Sequence, residues 1–150
     1  LFATAAEAGA ISVKSTDEMA ETAYQFGELL GISFQIKDDI FDYYSSDVLG
    51  KPTGNDMQDG KLTLPALYVL NTLKNPSMIE LALKIRALDA SDEEIAYFID
   101  YVKQNGGIEY ATKVMKEYRN KALAVLPETI SEELKLALTS FIDYVIERNK

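Results

Sequence analysis

Phe34-Gln35-Ile36-Lys37-Asp38-Asp39-Ile40-Phe41-Asp42 places three carboxylates within five residues of an otherwise apolar run. At about 100° per residue in an α-helix, Asp38, Asp42 and Gln35 fall within roughly 60° of one another and Asp39 borders the same wedge, with Gly31 beneath it. Leu29, Leu30, Ile32, Phe34, Ile36, Ile40 and Phe41 take the remaining directions. The segment therefore predicts a helix buried on nearly every side but the acidic one. On a solvated helix, like charges four residues apart cost only about 0.2–0.5 kcal/mol per pair, so an acidic surface face explains the bare triplet as well as a cation does. Burial tips that balance, because an ionised carboxylate removed from water without a partner costs on the order of several kcal/mol. A cleft holding cations removes the cost.

Composition narrows the chemistry. The 150 residues carry a net charge of −9 with a pI near 4.5, which disfavours nucleic acid and anionic membranes as partners. Cysteine and histidine are both absent. That excludes disulfides, thiolate or imidazole metal sites and a Ser-His-Asp triad, leaving carboxylates, lysines and amides to do the chemistry. No run has the length of a membrane span, and Leu1–Ala10 lacks the basic flank of a signal peptide, so a cytoplasmic protein without a transmembrane segment is expected. The opening residues have no capping residue ahead of Leu1, which predicts a chain that begins inside a helix as a piece of something longer.

Helical patterns run almost from end to end. Leu1 to about Val13 is rich in small residues, whose alanines and Gly9 would let another helix approach closely. Ser15-Thr16-Asp17-Glu18 has the form of a capping box with Ser15 as N-cap, opening a long helix from Asp17 to about Tyr44. Ser45 to Lys61 has three glycines, a proline and no apolar periodicity, and predicts one long loop. Helices are then expected over Leu62–Leu73 with Thr63 as cap, from Asn75-Pro76 through Leu88, and from the capping box Ser91-Asp92-Glu93-Glu94 to Gln104. Gly106-Gly107 marks a stop. A stripe from Ile108 to Val125 ends before Pro127, and Thr129-Ile130-Ser131-Glu132 opens a last helix with Leu134, Leu138, Phe141 and Val145 on its buried side. No strand alternation rises above noise. The expected architecture is an all-α bundle of about seven helices.

The segment Gly54 to Lys61 fails as a Walker A loop, since five residues separate its glycines, Leu62 follows the lysine and a helix precedes it. It fails as an EF-hand because Met57 and Ala66 would fall at ligand positions. Joined to the carboxylate helix it makes better sense. Mg²⁺ is usually held by one or two carboxylates plus phosphate oxygens and waters, so Asp38, Asp39 and Asp42 suit ions shared with a diphosphate, with Lys51 and Lys61 approaching its other oxygens. Metal and lysines together would neutralise a leaving group.

Phe34-Gln35-x-x-Asp38-Asp39-x-x-Asp42, followed by Gly50-Lys51-Pro52-x-Gly54-Asn55-Asp56 and Gly60-Lys61-x-Thr63-Leu64-Pro65, resembles the second aspartate-rich region of the trans-isoprenyl diphosphate synthases, particularly the long-chain polyprenyl (octaprenyl-like) branch. The likeness extends from Leu1-Phe2, similar to the end of that family's K-T-A-x-L-F segment, to an ending in Ile146-Glu147-Arg148-Asn149-Lys150. It implies a prenyltransferase of isoprenoid biosynthesis. In such an enzyme an allylic diphosphate ionises, the cation alkylates isopentenyl diphosphate, and proton loss restores an alkene. By position, Asp38, Asp39 and Asp42 would bind Mg²⁺, Asp42 through water. Lys51, Lys61 and Gln35 would be the catalytic residues that also touch substrate, with Phe34 lining the site and Asp56 organising the loop. The first aspartate-rich motif, the G-G-K-R site and the lysine and threonine of K-T-A would precede Leu1. Residues 1–150 would then be the C-terminal half of a synthase domain, inactive alone and homodimeric in its parent. Two alternatives stand beside this: a class I terpene cyclase or head-to-head synthase, against which the Gly-Lys loop argues, and a noncatalytic helical partner subunit whose carboxylates form a solvated face.

Overall fold

A computed structural model describes residues 1–44 and 53–148. Among these residues there are eight helices and no strand: α1 (Phe2–Ser12), α2 (Asp17–Phe41), α3 (Asn55–Gln58), α4 (Leu64–Leu73), α5 (Pro76–Arg86), α6 (Asp92–Gln104), α7 (Gly107–Ala124) and α8 (Glu132–Glu147). The all-α class is as predicted. The additional helix is α3, one turn within the stretch expected to be a loop.

Local signals set most of the boundaries. Ser91 accepts the Glu94 N–H (3.3 Å) while the Glu94 carboxylate accepts the Ser91 N–H (2.9 Å), completing the capping box of α6. Asn75 Oδ1 accepts the Ser77 N–H (3.1 Å) ahead of Pro76, and Ser131 Oγ accepts the Leu134 N–H (3.2 Å). The cap of α2 is one residue later than expected. Thr16 Oγ1 accepts the Met19 N–H (3.2 Å), whereas the Ser15 hydroxyl turns to the Thr16 carbonyl (3.4 Å). The end of α5 is earlier than expected, because Leu88 adopts a left-handed conformation at φ +58°.

The chain divides into two units, with boundaries after Lys37 within α2 and before Val114 within α7. In the first, residues 1–37 and 114–148, α1 and α2 meet at a glycine. A Cβ on Gly27 would come within 2.5 Å of the Phe2 carbonyl oxygen and 2.8 Å of the Ala3 Cα, while one on Gly9 would meet nothing within 4 Å. Close approach is thus permitted by Gly27 of α2, not by Gly9 of α1. The hydroxyl of Ser33, fully buried, donates to the Met115 carbonyl (3.2 Å) and ties α2 to α7. Arg119 grips Asp143 with two hydrogen bonds, Nε to Oδ1 (2.8 Å) and Nη2 to Oδ2 (3.0 Å), joining α7 to α8. This fork is the strong form of an ion pair.

The buried side of α8 differs from the predicted stripe. Ile142, Val145 and Ile146 are buried, but Leu134 and Phe141 are about half exposed. Leu134 and Leu138 instead line an apolar cavity of about 440 Å³ with Val13, Met19 and Phe26, so the first half of α8 has less to pack against than its periodicity suggests.

In the second unit, residues 38–44 and 53–113, α3 packs on α5 and α6, and α4 and α5 pack on α6. Val69, Ile85, Phe98 and Val102 are buried at its centre. Tyr68 and Tyr110 stack with ring centroids 3.9 Å apart.

Gly9 and Gly27, both α-helical, should respond oppositely to alanine. At Gly27 overpacking of about 1–3 kcal/mol exceeds the roughly 0.5–1 kcal/mol gained in helix propensity, so Gly27→Ala should lower stability in a urea melt. Gly9→Ala, with open space around it, should raise stability by up to about 1 kcal/mol.

Candidate functional site

The acidic wedge forms at the C-terminal end of α2. Ile36 and Ile40 are buried beneath it, and Asp38, Asp39 and Asp42 are half-buried. The Asp42 N–H donates to the Asp38 carbonyl (3.2 Å), carrying the helical pattern one residue past Phe41. From there the three carboxylates diverge in duty. Among the described residues no three Asp or Glu side chains converge into a metal cluster.

Asp42 faces residues 54–56. Its Oδ1 accepts the Asn55 N–H (3.0 Å) and the Asn55 side-chain amide (3.3 Å), and its Oδ2 accepts the Asp56 N–H (3.0 Å). Its carbonyl accepts the Gly54 N–H (2.9 Å). Gly54 is needed here twice over: it sits at φ +81°, and a Cβ would meet Ile99 at 2.8 Å and Ile95 at 3.0 Å. The first turn of α3 is thereby seated against α6 and capped by a carboxylate from a remote part of the chain, which loop composition does not reveal.

Lys61 belongs to the same knot. Its N–H donates to the Asp56 carbonyl (2.7 Å), and its ammonium pairs with Asp59 (3.1 Å) and Asp56 (3.7 Å). The Asp59 hydrogen bond, then the Asp59 and Asp56 charges, raise its pKa, so Lys61 is a cation at neutral pH. The side chain is 61% exposed, and water screens the pairing enough for the ammonium to exchange partners. Burial and then the Asp42 charge push the Asp56 carboxyl up, and Lys61 opposes them. Lys51 lies outside the described residues.

Phe34 and Lys37 fall in the first unit. The Phe34 ring lies 5.0 Å from that of Phe2, tilted by 48°, and the Arg148 guanidinium sits 4.2 Å over its centre. Burial, and then the Arg148 charge, lower the pKa of Lys37. Gln35 is exposed. Arg148 had no expected role; a cation near the chain's end has no fixed spacing to an aromatic residue on α2, so no sequence pattern marks it.

The donors at the end of α2 are all hard carboxylate oxygens. Two of them, Asp38 and Asp39, completed by phosphate oxygens and water, match the way Mg²⁺ is commonly held, and no closed protein cage is needed. The residues fit a magnesium ion shared with a phosphate ligand.

The sequence profile of the polyprenyl synthetase family matches residues 1–102. The chain belongs to that family. Among curated relatives of this polyprenyl synthetase chain, heptaprenyl diphosphate synthase component 2 of Bacillus subtilis (strain 168) is 32% identical over 149 residues, covering 99% of this chain and 42% of the relative. Among solved structures, a geranylgeranyl pyrophosphate synthase from Bacteroides thetaiotaomicron is 47% identical with a TM-score of 0.91, covering 98% of this chain and 48% of that one. A polyprenyl synthase from Caulobacter crescentus CB15, complexed with calcium and isoprenyl diphosphate, is 28% identical with a TM-score of 0.87 over 99% of this chain and 46% of that one. The polyprenyl synthetase chain thus spans less than half the length of these relatives.

Tyr43, next to Asp42, is 1% exposed, and its hydroxyl faces Thr63 and the Ala66 backbone without closing a well-formed hydrogen bond. Burial pushes its pKa well above the usual tyrosine value of about 10. A raised folded-state pKa means that the unfolded chain ionises first. The stability this residue contributes is complete below about pH 10 and is lost as pH rises above it. Tyr43→Phe should flatten that alkaline loss in pH-dependent urea melts. At pH 7 it should leave stability unchanged or up to about 1 kcal/mol higher, because it removes a buried group without a partner.

Proposed function

We propose that residues 1–150 carry the second aspartate-rich metal motif of a longer trans-prenyltransferase, which condenses an allylic diphosphate with isopentenyl diphosphate into a polyprenyl diphosphate. The observation that carries this proposal is the half-buried Asp38–Asp39 pair ending α2, in a chain of the polyprenyl synthetase family.

In this mechanism Asp38 and Asp39 would hold Mg²⁺. Lys51 and Lys61 would contact the allylic diphosphate, Gln35 would face the prenyl or diphosphate end, and Phe34 would line the site. Magnesium, when bound, neutralises charge on the diphosphate and makes it a better leaving group. Asp38 and Asp39 orient the diphosphate through their fixed place at the end of α2, and Lys61 adds a protonated amine that leaves Asp59 for the more highly charged diphosphate. Heterolysis of the carbon–oxygen bond sends its electron pair to the diphosphate and leaves an allylic cation. The isopentenyl double bond supplies the electrons of the new carbon–carbon bond, and loss of a proton restores an alkene.

Among the described residues no helix is long and apolar enough to cross a membrane. We place the full-length enzyme, acting on charged water-soluble diphosphates, in the cytoplasm as a homodimer. A second reading of the assembly is a complex of unlike subunits, favoured by the name of the Bacillus subtilis relative as a component 2. Native mass measurement separates the two.

In the full-length enzyme, Asp38→Ala combined with Asp39→Ala should abolish Mg²⁺-dependent diphosphate binding in calorimetry and reduce turnover by at least about 100-fold. Unchanged turnover refutes the assigned role. The 150-residue chain, given Mg²⁺ and both diphosphates, should release no prenyl product, and steady product formation would show that it needs no further segment.

A further inference from the structure

Spacing alone makes Asp38, Asp39 and Asp42 look equivalent, yet the structure gives Asp42 different work. Both of its carboxylate oxygens accept backbone N–H groups from the first turn of α3, Asn55 at 3.0 Å and Asp56 at 3.0 Å, and its carbonyl accepts a third from Gly54 at 2.9 Å. One residue at the end of the acidic helix thus holds the three consecutive residues 54–56. Gly54 admits no side chain at this position, since a Cβ would meet Ile99 at 2.8 Å and Ile95 at 3.0 Å on α6. Beyond the pinned turn, the Asp56 carbonyl accepts the Lys61 N–H (2.7 Å) and the Asp56 carboxylate pairs with the Lys61 ammonium (3.7 Å). A continuous set of contacts therefore runs from Asp42 through Asp56 to Lys61.

We propose that Asp42 is a positioning residue that latches the start of α3 to the end of α2 and so sets where Lys61 presents its ammonium, while Asp38 and Asp39 alone hold the metal. This role rests on the function proposed above for the Asp38–Asp39 pair and Lys61. A carboxylate that takes an N–H on each oxygen acts as a helix cap does, satisfying amides that the short helix cannot satisfy itself. Asparagine in its place would keep one acceptor and turn an NH₂ toward a backbone N–H.

The test has a structural arm and a kinetic arm. In the 150-residue chain, Asp42→Asn should speed amide hydrogen exchange at Asn55 and Asp56 by about tenfold, the loss expected for a cap, while Asp38→Asn leaves those amides as protected as before. In the full-length enzyme, Asp42→Asn should raise KM for the allylic diphosphate by about tenfold with the Mg²⁺ concentration for half-activity unchanged, whereas Asp38→Asn should shift that concentration by about tenfold or more. Adding Lys61→Ala to Asp42→Asn should cost little more than Lys61→Ala alone, as expected when one residue acts through the other. Unaltered exchange at Asn55 and Asp56, or an Mg²⁺ requirement shifted by Asp42→Asn as far as by Asp38→Asn, overturns the proposal. If the exchange results hold but Asp38→Asn leaves the Mg²⁺ requirement alone, the latch stands and the metal role of the pair falls. Asp42→Ser, which keeps one hydroxyl acceptor, serves in both arms if the asparagine variant does not fold, with the same outcomes decisive.

Discussion

A carboxylate drawn out of water has to be given a partner, and α2 ends in three such groups. The second unit is arranged around that demand. Asp42 meets it with peptide N–H groups from residues 55 and 56. Those bonds shape α3, seat Gly54 against α6 and place Asp56 beside Lys61. Asp38 and Asp39 stay half-buried beside Asp42.

The first unit is held together by its own packing. Gly27 lets α1 lie against α2 at a distance no larger residue allows, and the same approach brings Phe2 beside Gly31 and Phe34. Arg148 then covers Phe34 from the last described residues of the chain. A guanidinium over an aromatic face keeps its charge while shedding some water, so Phe34 is held by an apolar ring on one side and a cation on another. The buried Ser33 hydroxyl and the Arg119–Asp143 fork fix α2, α7 and α8 in register by polar bonds that a purely apolar stripe cannot specify.

Much of this was legible in the sequence wherever cause and effect lie within a few residues. The Ser91 capping box, the Asn75-Pro76 start, the Ser131 cap and the left-handed Gly106 each act within one turn of their own position. Legibility failed where a distant residue decided the outcome. Helix α3 falls in a stretch of loop-like composition and exists through a cap supplied by Asp42. Gly9 and Gly27 look alike in sequence, and only the neighbouring helix tells them apart. Leu134 and Phe141 obey the helical period but have too little chain opposite them to become buried.

The candidate site divides along the same line. The sequence by itself determined an all-α class, the grouping of Gln35, Asp38, Asp39 and Asp42 toward one side of one helix, and chemistry restricted to carboxylates, amines and amides. All of these follow from helical periodicity and composition, which need no partner. Only the tertiary structure decided that the Asp42 carboxylate is spent on the backbone, that Lys61 is held by Asp56 and Asp59, and that Arg148 stands over Phe34. The Asp42 and Arg148 contacts join residues 13 or more positions apart, and the Lys61 pairs, though local, rest on side-chain geometry. Their energies depend on distances of a few ångströms, which no spacing in a one-dimensional sequence contains.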